Sequence, residues 1–329
     1  MTEVHARFAS YVAILGRGPG RSRALTREEA RDAFGMVLRG EADPHQVGAF
    51  LMLLRYRGED ADEITGVVEA ARAHAHLGST ATGITGTGID LDWPSYGAGR
   101  TRGAPWFLLA ALALARSGIR VLMHGSNDFS SGIPVETGLA ALGLRPAETL
   151  ADALHSGTFA YLPLRALSPE LDRLIGLRAL FGLRSPVNTA ARLLNPADAP
   201  CGVDGVFHPP YINVHLGVAE RMQRRRLLVL KGGGGEAERV PLKPASAAAW
   251  DQDHGRQDIT LPAIEGLKPH PAANDTPDLL AAVWRGEAIP ETPLATIQAT
   301  ITLGLMAIRG PRDPTQALCD AREIWARRL

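Results

Sequence analysis

Apolar positions in the first 80 residues recur at spacings of three and four, the period of helices that each bury one stripe. Polar residues punctuate the stripes. Thr26 and Glu29 form a capping-box pattern ahead of a segment ending near Gly40. Asp43, Pro44 and Gln46 supply an N-cap, a first-turn proline and an N3 amide before Val47, Phe50, Leu51 and Leu54. Asp60 and Glu63 repeat the box before Ile64, Val67 and Val68, with Gly78 as the closing residue. The pattern predicts a small helical bundle without chemistry of its own.

From Gly83 onward, glycine-punctuated apolar runs alternate with helical stretches. Ile119–Met123, Phe159–Leu162 and Arg226–Leu230 read as buried strands, and Pro105–Arg116 as a helix. This alternation argues for an α/β fold with a mostly parallel sheet covered by helices. Ser168-Pro169 opens a further helix through Phe181, and Ser185-Pro186 another through Leu194. Folded back onto the N-terminal bundle, they make a discontinuous helical domain, 1–80 with 168–197, beside an α/β domain, 81–167 with 198–329. Phe50, Leu51, Leu54, Ile64, Val68, Leu174 and Leu177 would then share one core, because none of these helices is long enough to be stable alone. From Thr276 the chain reads helical again, with Pro277, Pro293 and Pro314 suited to helix starts.

Composition narrows the class. Among 329 residues, 45% are hydrophobic and 21% charged, which suits a globular chain and excludes a disordered one. Lys plus Arg (35) balances Asp plus Glu (35), so a polyanion would have to meet a local patch, not a basic surface. Two cysteines, Cys201 and Cys319, are too few for a disulfide scaffold or a zinc framework. The longest apolar run, Ala104 to Ala115, is too short to span a bilayer, and no signal-peptide pattern is visible, so a cytoplasmic location is expected.

Candidate chemistry sits in three glycine-rich loops. Gly83–Gly88 (GITGTG) leads on to Ser95–Gly103 (SYGAGRTRG); His124–Gly132 reads HGSNDFSSG; Gly232–Gly235 is followed by Glu236, Ala237 and Glu238. Loops at the carboxyl ends of parallel strands are where open α/β sheets bind ligands. Their glycines let backbone N–H groups approach phosphate, and Ser130 and Ser131 would add hydroxyls, although tight turns alone also use glycine. Glu236 and Glu238 suit Mg²⁺ on a pyrophosphate, or a solvated turn beside Arg239. His124 reads equally as a functional group or a hydrogen-bonded loop residue. Guanidinium groups suit phosphate, which singles out Arg100, Arg102, Arg178, Arg184, Arg221 and Arg224. The run RMQRRR at 221–226 also reads as a helix end favoured by its own dipole. Trp93 and Tyr96 either pack the loop or stack on bases.

Taken in order, the capped helical start, the GTG, the HG-x-x-x-x-SS loop, Leu177–Pro196 (LRALFGLRSPVNTAARLLNP) and the late glycine-acidic loop resemble the anthranilate phosphoribosyltransferases over nearly the whole chain. The resemblance implies a discontinuous helical domain beside an α/β domain, phosphoribosyl pyrophosphate with Mg²⁺ between them, and a homodimer formed through helices. It places Arg178 at the anthranilate contact and Glu236 near the metal-binding Asp-Glu pair. The chain departs from the family where GTGGD gives way to GTGIDLDWPSYGAGRTRG, where HGNR reads HGSN, where Gly132 replaces a lysine, and at Glu236-Ala237-Glu238. PSYGAGR, PWFLLA, VLMHG and ETGLAALG resemble a diverged, YbiB-type branch associated with nucleic-acid binding.

Two functions follow from these residues. The favoured one is binding of a nucleic-acid sugar-phosphate backbone in an interdomain groove, through Arg100, Arg102, His124, Ser130, Ser131, Arg178 and Arg184, with Arg221 and Arg224 at the edge. The losses fall on catalytic phosphate contacts, while Arg100 and Arg102 are gains. The alternative is Mg²⁺-dependent phosphoribosyl transfer to an unidentified acceptor, with Glu236 and Glu238 on the metal and no dedicated base required.

Overall fold

Thr26 accepts the Glu29 N–H at 3.2 Å while the Glu29 carboxylate accepts the Thr26 N–H at 2.9 Å, so the first capping box forms as its spacing demands. The computed structural model describes residues 2–18, 20–77, 88–97, 103–126, 132–311 and 313–329. Its N-terminal helices are α1 (Glu3–Gly16), α2 (Arg27–Leu38), α3 (Pro44–Arg57) and α4 (Ala61–His74). The Asp43–Gln46 box opens α3. The third pattern resolves differently: Asp60 accepts from Asp62, and the buried Glu63 reaches across to accept the Leu25 N–H at 2.8 Å. That bond ties the approach to α2 onto α4. Gly66 completes the packing, because a Cβ there would overlap the Arg27 carbonyl. Helix α4 ends at His74, and Gly78 lies outside the described residues.

Among the described residues, the sheet holds seven strands where the apolar runs suggested three. They are β1 (Leu91–Ser95), β2 (Val121–Gly125), β3 (Phe159–Pro163), β4 (Cys201–Val206), β5 (Arg226–Lys231), β6 (Ala245–Asp251) and β7 (Gly255–Leu261). Their spatial order is β3-β2-β1-β4-β5-β6-β7. The first five run parallel, and β6 and β7 close one side as an antiparallel hairpin. Strands β1 (LDWPS) and β4 (CGVDGV) escape a periodicity search because proline, glycine and aspartate interrupt them. Neighbouring strands supply their register instead, with Leu91 opposite both Val121 and Cys201.

Strand side chains alternate between two cores, as period two requires. Leu122, Leu227 and Val229 join the bundle side, whereas Val121, Met123, Leu228 and Leu230 join the opposite side. There the sheet is covered by α5 (Trp106–Arg116) and, near the C-terminus, by the 19-residue helix Glu291–Arg309. Leu171, Leu174 and Ile175, from the helix Pro169–Gly176, share the bundle-side cluster with Phe50, Leu51, Leu54, Ile64 and Val68. Leu177 packs on its edge. Among the described residues, no helix is long and apolar enough to cross a membrane.

Candidate ligand site at the junction of bundle and sheet

A cavity of about 270 Å³ lies where the bundle, the middle helices and the loop after β4 meet. The end of α3 brings Arg55 and, just beyond it, Glu59 to its wall. The short helix Arg178–Phe181 stops at Gly182, whose φ of 67° turns the chain so that Arg184 reaches the same space. The next helix, Val187–Arg192, presents Asn188, Thr189 and Arg192. Opposite them stand Phe207 and, on the helix Tyr211–Arg221, Tyr211 and His215.

Among the described residues, four arginines and one carboxylate therefore line the cavity. Burial pushes the Arg184 guanidinium down to about 10, and the cations of Arg178, Arg192 and Arg55 add to that. Its Cζ lies 5.6 Å from the centroid of the Phe207 ring. Arg192 donates to the carbonyls of Gly205 at 3.0 Å and Gly235 at 2.8 Å. Arg55 donates to the Tyr211 hydroxyl, which in turn donates to Glu59 at 3.1 Å; Thr189 donates to the other Glu59 oxygen. Burial raises the Glu59 carboxyl, and burial together with Glu59 pushes Tyr211 up to about 12. His215 Nδ1 is 2.8 Å from Asp204 Oδ2. The wall is thus cationic, with a hydrogen-bonded cluster of Glu59, Tyr211 and Thr189 along one side.

Of the sequence-selected residues, Arg178 and Arg184 meet at this cavity and the others described do not. His124 is fully buried in the sheet, with Nδ1 2.9 Å from the Tyr96 hydroxyl and Nε2 3.2 Å from Asp92. Arg224 is buried against Asp92, not placed at a groove edge, and Arg221 pairs with Asp62 of the bundle. Arg224 serves the fold, because an enclosed carboxylate needs a partner, whereas the Arg221–Asp62 pair lies at the surface. Trp93 and Tyr96 are buried, which favours packing over stacking on a base. Arg100, Arg102, Ser130, Ser131 and the glycines of 83–87 lie outside the described residues.

One oxygen of each carboxylate in the acidic pair is taken by the backbone instead of being offered to a magnesium ion. Mg²⁺ needs carboxylate oxygens that share an open shell with water and phosphate. Glu236 is buried and accepts the Gly97 N–H, while Glu238 accepts the Phe107 N–H at 3.0 Å. Gly205 lets this loop lie flat on β4, since a Cβ there would overlap the Glu236 backbone. Among the described residues, no group of three or more His, Cys, Asp or Glu side chains is placed to hold a metal ion.

Sequence reasoning missed Arg55, Glu59, Arg192, Tyr211 and the Asp204–His215 pair. Two signals were available: an aspartate inside the otherwise uncharged strand CGVDGV, and Tyr211 and His215 one helical turn apart.

Comparison with known proteins decides the lineage. Residues 10–75 match the helical bundle domain of the glycosyl transferase family. The chain is 30% identical over 309 residues to the anthranilate phosphoribosyltransferase of Methylobacterium nodulans, spanning 90% of this chain and 88% of that one. The chain belongs to the anthranilate phosphoribosyltransferase family. A second family member, from Methylorubrum extorquens, is 31% identical over 266 residues, covering 79% of this chain and 75% of its own. The fold is that of the family's solved structures. The Thermus thermophilus anthranilate phosphoribosyltransferase matches with a TM-score of 0.76 and 24% identity, over 98% of this chain and 95% of that one. The Saccharomyces cerevisiae protein, solved in complex with PRPP and Mg, matches at 0.76 and 17% identity, over 99% and 95%.

Proposed function

We propose that the protein transfers a phosphoribosyl group from phosphoribosyl pyrophosphate to a small carboxylate-bearing aromatic acceptor seated in the arginine-lined cavity. We take the helical part as 1–80 with 168–197 and the α/β part as 81–167 with 198–329, so that the acceptor sits on their boundary. The observation that carries this reading is the convergence of Arg55, Arg178, Arg184 and Arg192 on one space with Glu59 as the opposing carboxyl. Guanidinium forks recognise carboxylates with two parallel hydrogen bonds. An acceptor anion would offset the burial and the neighbouring cations that together depress Arg184. The cavity's size, about 270 Å³, matches a single ring near the lower end of ligand pockets, not a nucleic-acid strand.

In this reading Arg178 and Arg184 fix the acceptor carboxylate and Phe207 faces the ring. Orientation then converts an encounter of two solutes into a positioned reaction. The acceptor attacks the anomeric carbon as the bond to pyrophosphate breaks, and pyrophosphate leaves with the electron pair. Glu236 and Glu238 act as anchors for the loop and take no part in that step.

The test is pyrophosphate release from phosphoribosyl pyrophosphate, with Mg²⁺ in the buffer and a panel of aromatic carboxylates bearing an amine, a ring N–H or a hydroxyl. Acceptor-dependent release, lost in Arg178→Ala and Arg184→Ala, supports the reading. The competing function is nucleic-acid binding through Arg100 and Arg102. It predicts instead that no acceptor gives release, while affinity for a single-stranded oligonucleotide falls steeply with salt.

A further inference from the structure

One buried carboxylate behind the cavity wall is not needed for holding an anion. Asp204 sits in the middle of β4, fully buried, and its Oδ1 has no hydrogen-bond partner among the described residues. Its Oδ2 lies 2.8 Å from Nδ1 of His215, a residue that lines the cavity and is 1% exposed overall. A carboxylate at this nitrogen requires the imidazole proton on Nδ1, which leaves Nε2 as a bare acceptor. An imidazole locked in one tautomer by an acid behind it is the arrangement that general-base chemistry uses. A purely structural strand position would be better filled by an apolar residue, because a buried pair of this kind gains little stability over good packing.

Resting on the transfer function proposed above, we propose that His215 accepts the proton of the acceptor's nucleophilic atom, with Asp204 as its positioning residue. The acceptor then belongs to the carboxylates whose nucleophile is an N–H or O–H group. In the step, a bond forms from that nitrogen or oxygen to the anomeric carbon. The carbon–oxygen bond to pyrophosphate breaks, its electron pair leaves with the pyrophosphate, and the proton passes to Nε2 of His215 and later to water.

The surroundings of His215 suit this role. Among the described residues, Asp204 on β4 contacts the ring, and Arg55, Arg178, Arg184 and Arg192 are the cations around the cavity. Among the described residues, Tyr211, on the same helix, Glu59 and the exposed His208 complete the titratable groups that line the cavity. Tyr211 is pushed up to about 12, mainly by burial, and burial also raises the Glu59 carboxyl.

The experiment measures acceptor-dependent pyrophosphate release for the wild type, His215→Gln and Asp204→Asn between about pH 5.5 and 9, a window that brackets imidazole titration. The wild type should show an acidic limb in kcat. His215→Gln should lose that limb and about 10²–10⁴-fold in kcat with little change in acceptor KM. Asp204→Asn should move the limb to lower pH, and free imidazole should restore part of the rate to His215→Ala. Far-UV circular dichroism checks folding. If His215→Gln does not fold, the shifted limb of Asp204→Asn and the imidazole rescue decide, and absence of both overturns the assignment. A wild-type enzyme that releases pyrophosphate while His215→Gln keeps its rate and pH profile overturns the base but leaves the transfer function standing. A wild type that releases none with any acceptor removes the transfer function, and the base with it.

Discussion

Arg224 Nη2 lies 2.8 Å from Asp92 Oδ2, with both side chains closed off from solvent. The contact joins the segment after the Tyr211–Arg221 helix to the central strand β1, across Gly202, where a Cβ would collide with the guanidinium. Burial by itself would push the Asp92 carboxyl up, but Arg224 and His124 together outweigh that and hold it low. A charge that looked available for phosphate is therefore consumed inside the fold.

Removing that guanidinium leaves an enclosed carboxylate without its cation. Arg224→Met should destabilise the protein by about 3–5 kcal/mol in urea denaturation. Adding Asp92→Asn should recover much of the loss, because the remaining charge is then gone. A single variant as stable as the wild type would show that water reaches Asp92.

Arg184 presents the opposite case. Burial and three neighbouring cations depress its guanidinium to about 10, so its charge opposes folding of the unliganded protein. Arg184→Gln should leave the melting temperature unchanged or raise it. Affinity for a carboxylate ligand should fall by about 10–100-fold, the worth of one charged hydrogen bond. Differential scanning fluorimetry and calorimetric titration with anthranilate read the two effects separately.

Glu236→Ala and Glu238→Ala should act on stability and not on metal. Each strips the acceptor from a backbone N–H, Gly97 or Phe107, in a buried place. The expected loss is about 1–3 kcal/mol per variant, the penalty for an unsatisfied buried donor. Mn²⁺ affinity, followed by electron paramagnetic resonance, should be equal in wild type and variants. A clear drop in Mn²⁺ affinity would restore the acidic pair as a metal site.

Asp251 supplies a pH dependence. Burial works to raise its carboxyl, but the Arg226 guanidinium, the Asp253 N–H and His254 hold it well below the usual carboxylate range. A carboxyl depressed in the folded state contributes stability above its unfolded value of about 4 and loses it as pH falls below that. The stability gap between wild type and Asp251→Asn should therefore be full at pH 7 and shrink below about pH 4. Equal gaps at both pH values, measured by urea denaturation, would rule out this linkage.

Gly205→Ala tests the seat of the 232–238 loop. With the Glu236 backbone occupying the space of a Cβ, the loop must lift away from β4. A destabilisation of about 1–3 kcal/mol or more is expected from such overpacking. Arg192 should lose its carbonyl partners at Gly205 and Gly235 with it, so ligand affinity falls too.

What the chain declares by itself is local. Thr26–Glu29 and Asp43–Gln46 name their helix starts because a cap is settled within four residues. Strands β2, β3 and β5 show because each is a nearly unbroken apolar run. The order of motifs from the capped helical start through Leu177–Pro196 to the late glycine-acidic loop carried the family resemblance. Tertiary structure decided the rest. Strands β1 and β4 exist because neighbours complete their ladders, although their own residues are poor strand formers. Among the arginines, sequence neighbours part company: Arg221 goes to Asp62, Arg224 to Asp92 and Arg226 to Asp251. Arg55, Arg178, Arg184 and Arg192, drawn from distant segments, meet at one cavity. Caps and periodicity are set by energies within a turn or two of chain. A cation's role depends on which carboxylate lies within a few ångströms, and only the folded arrangement of helices on the sheet determines that.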